Sequence, residues 1–200
     1  MESLLSSVTR ILFVVTDALL IPDIMLLLAL LGWSAVVLGE FTAEAISRAR
    51  CGPSRWSETG NPRPEIGSAK RPRLVATFLA EATSLPGQPA ALEKLASDYE
   101  LKAAKWLEGT QIGVRLGPIL GLVGTLIPMG PALQGLAAGN VMQIAANIRI
   151  AFATTVVGLL IGGLCYTITT VRRRWYAQDL KEIEFLCREL GEDANEPRDN

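Results

Sequence analysis

Histidine is absent from this chain of 200 residues, and with it go the usual general base, the usual proton shuttle and the commonest transition-metal ligand. Cysteine is scarce. Cys51, Cys165 and Cys187 lie far apart with no CxxC spacing, so neither a zinc site nor a disulfide framework is indicated, and all three read as reduced, structural thiols. A surplus of positive charge is missing as well: the formal net charge is -1, whereas a nucleic-acid binder needs a clustered basic excess to neutralise phosphates. No basic stretch followed by a short apolar run and a small-residue cleavage site opens the chain, so no removed signal peptide is expected. These absences predict no catalytic residue, no metal or cofactor and no nucleic-acid partner. The carboxylates Glu58, Glu65 and Glu81 read as a solvated surface rather than an enzyme site.

What the chain has in quantity is apolar sequence, and it is grouped. Half of the residues are hydrophobic, and they gather in long blocks of the kind that lipid selects. The first runs over residues 18–39, with Asp23 as its only charge; about 20 residues at 1.5 Å each cross roughly 30 Å of hydrocarbon. Asp17, Pro22 and Asp23 place its start at an interface. The second covers 113–138 and is dense in Gly and Pro, which would break a helix in water but is tolerated where membrane helices pack. The third covers 149–171 and ends in Arg172, Arg173 and Arg174. The expectation is an all-α membrane protein with three transmembrane helices.

The rest divides around these spans. Residues 1–17 carry Leu4, Leu5, Val8, Ile11, Leu12 and Val15 at helical spacing, so this segment is either an amphipathic helix on the outer surface or an extension of the first span. Residues 40–112 form a polar region. Its early part, rich in Arg, Pro, Gly and Ser, reads as a loop with short helical pieces; from Ala91 an amphipathic helix with Leu92, Leu95, Tyr99 and Ala103 on one face runs into the second span. Residues 139–148 make a short outer link. Residues 172–200 extend the third helix into water through Tyr176, Leu180, Ile183, Cys187 and Leu190, and end in a tail expected to be disordered.

Basic residues flanking the spans set the orientation. Arg48 and Arg50 follow the first, Arg115 precedes the second and Arg172, Arg173 and Arg174 follow the third, all on one side, against Arg10 and Arg149 on the other. The positive-inside rule then puts the N-terminus outside and the C-terminus in the cytoplasm, in the inner membrane of a prokaryote.

Two patterns inside the spans carry the functional reading. Gly113, Gly117, Gly121 and Thr125 recur every four residues in the second span, with Gly124 beside them, and Thr154, Gly158 and Gly162 do the same in the third. Stripes of small residues let helix backbones approach closely, so these two helices should pack against each other or against copies of themselves. Thr125, Thr154 and Thr155 put hydroxyls into apolar surroundings, where each either lines an ion path or bonds the carbonyl one turn back in its own helix. No Asp, Glu or Lys occupies the middle of either span, so a titrating carboxylate would have to come from another polypeptide.

The runs GPILGLVGT at 117–125 and AFATTVVGL at 151–159 resemble the MotA/TolQ/ExbB proton channel family, and the order of spans fits its three-span TolQ/ExbB-like branch. The resemblance implies a homopentamer whose second and third helices line a pore around two copies of a single-span, Asp-bearing partner of the ExbD/TolR/MotB kind, with Thr125, Thr154 and Thr155 in the ion path. The transported ion is then H+ or Na+; the pair Thr154 and Thr155 matches sodium-driven relatives. Two departures stand out. Ile150 occupies the place where this branch commonly has a glutamate, and Pro128 replaces a usual glycine, so that Pro128 and Pro131 should kink the outer half of the second span. A non-conducting scaffold of the same fold is the alternative reading.

Overall fold

Wherever lipid replaces water, a single segment must close its own backbone hydrogen bonds, and an unbroken α-helix does so. The computed structural model describes residues 2–51, 72–84 and 89–193, and its elements are α1 (Glu2–Cys51), α2 (Arg73–Ala82), α3 (Pro89–Ala137) and α4 (Val141–Asp193). Helices α1, α3 and α4 hold 50, 49 and 53 residues, roughly 75 Å each at 1.5 Å per residue. All three are long and apolar enough to cross a membrane, so this is a multi-pass, all-α membrane protein among the described residues.

The N-terminal segment is an extension of the first span, because α1 is continuous from Glu2 through Pro22, with Val8, Ile11, Leu12 and Val15 exposed on it. Helix α3 likewise runs without a break through Pro118, Pro128 and Pro131. The link expected over 139–148 is helical from Val141 onward. Gly139 takes the left-handed φ of 69° that a tight turn needs, and the Asn140 side-chain oxygen accepts the Gln143 N–H at 3.1 Å. That bond caps the first turn and starts α4 early.

The chain divides into two units. The first comprises Met1–Leu38 and Gly109–Ile168. Its buried centre is small, Leu27, Ile161 and Cys165 with Leu30, Leu31, Val114, Leu120 and Val157 against it. The large apolar side chains point outward instead, among them Ile21, Met25, Leu122, Leu126, Phe152 and Val156. Outward-facing bulk and inward-facing small residues are what lipid as solvent demands.

The second unit comprises Gly39–Glu108 and Thr169–Asn200, and it is built as a protein is in water. Leu74, Val75, Phe78 and Ala82 lie on one face of α2 and meet Leu92, Tyr99, Ile183 and Leu186 in a closed core. The Phe78 and Tyr99 rings meet edge to face at 5.6 Å. Both amphipathic stripes read from the sequence therefore bury their apolar sides, with Ala103 and Tyr176 buried as well. Charge is buried here too: Arg48 donates to both carboxylate oxygens of Asp179, at 3.0 and 2.5 Å, and Arg172 pairs with Glu44 at 3.1 Å. Arg172 is thus part of an ion-pair network in addition to being a topology signal, while Arg173 and Arg174 are exposed. The Arg- and Pro-rich stretch at 52–71, with Glu58 and Glu65, and the tail at 194–200 lie outside the described residues.

Candidate functional site

The two glycine stripes face each other within one subunit. A Cβ on Gly117 would sit 2.7 Å from the Gly158 carbonyl oxygen and 2.9 Å from the Gly162 nitrogen, and one on Gly158 would sit 2.5 Å from the Gly117 carbonyl oxygen and 2.8 Å from the Gly121 Cα. Backbone therefore touches backbone, and no side chain fits between α3 and α4 along this seam. At one end Gly113 meets Cys165 and Trp33 of α1. At the other, Gly124 meets Thr154. The stripes are used for packing inside the protomer, which leaves the bulkier faces of α3 and α4 for lipid or for neighbouring subunits.

The three threonines do not occupy equivalent positions. Thr154 is buried against Gly124, whereas Thr125 and Thr155 are half-buried on the same two helices. Each hydroxyl donates to a carbonyl of its own helix: Thr125 to Leu122 at 2.6 Å, Thr155 to Ala151 at 2.9 Å, and Thr154 to Ala151 at 2.9 Å with Ile150 at 3.2 Å. A hydroxyl bonded this way has used its hydrogen but keeps lone pairs that can accept. The threonines therefore present acceptor oxygens to whatever approaches them.

Sequence reasoning missed the most consequential group. Asp23, read from the sequence as part of the interfacial start of the first span, has its side chain turned into the protein: it is 6% exposed, and its Oδ2 lies 3.0 Å from the point a Gly124 Cβ would occupy. Thr154 Oγ1 is 2.7 Å from that same point. The only acid of the first span thus meets the second and third spans, which have none of their own. The available signal was the charge itself, alone in an apolar helix; its rotation about the α1 axis was not readable from spacing. Pro128, fully buried one turn on, has no N–H to give the Gly124 carbonyl. Farther along, the Pro131 carbonyl accepts from Gln143 Nε2 at 3.3 Å and ties α3 to α4. Among the described residues no group of three or more His, Cys, Asp or Glu side chains is arranged to hold a metal ion.

Comparison with known families agrees with the motifs. The family model of the MotA/TolQ/ExbB proton channel family matches residues 73–184, which includes all of α2, all of α3 and the span of α4. No curated protein and no solved structure matches.

Proposed function

Since the chain belongs to the MotA/TolQ/ExbB proton channel family, whose model covers more than half of it, we propose that it forms the pore of an ion-driven motor complex as a homopentamer around two copies of a single-span, ExbD/TolR/MotB-like partner that carries an intramembrane aspartate. Membership makes it a channel subunit and not an enzyme. The observation that carries the fuller reading is the pairing of the two family motifs on adjacent, directly packed helices, with Thr125 and Thr155 half-buried beside the seam where a pore lining would run. The basic flanks Arg115, Arg172, Arg173 and Arg174 support an N-terminus outside and a C-terminus in the cytoplasm of a prokaryotic inner membrane. Pro128 and Pro131 bend the outer part of the pore helix in this reading. The ion is the proton or, as the alternative, sodium, driven by about 2.3 kcal/mol per charge per 100 mV of membrane potential.

Native mass spectrometry in mild detergent should show five copies; a monomer or dimer as the sole stable species argues against the pentamer. A second expectation concerns conduction. No carboxylate lies in the middle of α3 or α4, so vesicles holding this subunit alone should pass ions near background, and flux should appear when the partner is added. Equal flux with and without the partner overturns this division of labour. Persistent background flux in the full complex favours the scaffold alternative. The same vesicles decide the ion: a flux that follows a sodium gradient at fixed pH and is lost in Thr154→Ala assigns sodium, which the resemblance of the Thr154–Thr155 pair to sodium-driven relatives suggests, and a flux that ignores sodium assigns the proton.

A further inference from the structure

We propose that Asp23, facing the Thr154 hydroxyl across Gly124, is a proton-binding site belonging to this subunit itself, separate from the carboxylate supplied by the partner. Asp23 is 6% exposed, and neither of its side-chain oxygens has a hydrogen-bond partner. Buried polar oxygens are normally hydrogen-bonded, and an ionised carboxylate left without a donor in an apolar setting is the costliest case. Something positive is missing from its surroundings.

The neighbours cannot supply it. Thr154 Oγ1 converges with Asp23 Oδ2 on the space left by the absent Gly124 side chain, at 2.7 and 3.0 Å from the same point. Its hydrogen has the Ala151 and Ile150 carbonyls as acceptors, at 2.9 and 3.2 Å, and no hydrogen bond joins it to Asp23, so its lone pairs stay open to an acid O–H. Carboxylate and hydroxyl oxygens gather there with no hydrogen bond between them. One proton on Asp23 removes the unpaired charge and gives the acid an O–H to turn toward the Thr154 oxygen.

Size selects the proton over a metal ion. A sodium ion must replace its water shell with several oxygens, yet the Thr154 Cβ stands 2.6 Å from the point where the oxygens converge. The space is too narrow even for a methyl group, and carbon closes it on the Thr154 side. The charged surroundings are simple too. On α1 the flanking groups are Asp17 and Glu40, α3 carries no charge over 116–137, and α4 carries none between Arg149 and Arg172. Asp17 and Arg149 are exposed. Gly124 is what makes the site possible, since any side chain there would fill the gap between acid and hydroxyl.

In the complex, and resting on the channel reading above, this site takes up the proton within the membrane before the partner's carboxylate receives it. The test separates site from channel. Infrared difference spectra between acidic and alkaline pH, taken on the purified full-length subunit, should contain a carboxylic-acid carbonyl band that is absent in Asp23→Asn, retained in Asp17→Asn, and shifted in Thr154→Ala. Adding sodium at fixed pH should leave the band unchanged. A difference spectrum identical in wild type and Asp23→Asn overturns the proposal, as does loss of the band on adding sodium, which would mark a metal site. In vesicles with the partner, Asp23→Asn should lower proton flux at least about tenfold; unchanged flux overturns the role in transport. A wild-type complex that moves no protons, with the infrared band intact, would remove the channel reading and leave the site standing.

Discussion

Gly158→Leu is expected to separate α3 from α4 and to unfold the membrane unit. Even a methyl group at this position would lie 2.5 Å from the Gly117 carbonyl oxygen and 2.8 Å from the Gly121 Cα. These are backbone atoms of a helix that cannot swing aside as a side chain can. Overpacking a closed interior costs about 1–3 kcal/mol when side chains can adjust; here two backbones must part, so the cost should exceed that range. In a membrane little opposes the separation, because lipid contacts the freed surfaces as well as Leu does. Cys165, fully buried at the other end of the seam, gives a local readout. It should resist alkylation in the wild type and react in Gly158→Leu, with a lower thermal midpoint in detergent. Gly163→Ala is the control, since a Cβ there meets nothing within 4 Å in the subunit. Cys165 equally protected in both variants would mean that the seam is looser than the backbone contacts indicate.

Asp179→Ala should be the most damaging single change in the second unit. The Asp179 side chain is 3% exposed and Arg48 17%, with the guanidinium also 4.9 Å from the centre of the Trp175 ring. Removing the carboxylate leaves a largely buried cation with, among the described residues, Glu44 at 3.3 Å to balance it. Such a loss costs about 3–5 kcal/mol, which should appear as a large fall in the urea midpoint followed by tryptophan emission. Glu184→Ala, which breaks the exposed pair with Arg188, should cost no more than about 0.5 kcal/mol. The pair Arg48→Met with Asp179→Leu should recover much of the loss, because apolar replacements remove the unpaired charge. If the single Asp179 variant matches Glu184→Ala, the network contributes little and the apolar core alone holds the unit.

Much of this architecture is legible in one dimension. The stripes through Leu92, Tyr99 and Ala103, and through Tyr176, Ile183 and Leu190, are visible because helical burial repeats every three or four residues. The small stretch with Leu74, Val75 and Phe78 sits in sequence dominated by Pro, Arg and Gly, and its ten residues are too few for periodicity to announce a core helix. The early start of α4 was hidden as well, since it depends on one cap at Asn140.

Hydropathy and charge settle that the chain has three long membrane helices, because the energy of placing a residue in lipid depends on that residue and its immediate neighbours. The glycine and threonine motifs likewise identify the family without any fold. What they leave open is how each helix is rotated about its axis and which stripe meets which partner. Those choices depend on contacts between residues far apart in the chain, which no local period encodes. Only the packed structure puts Gly117 against Gly158, pairs Arg48 with Asp179, and turns Asp23 inward to face Thr154 through the space that Gly124 leaves open.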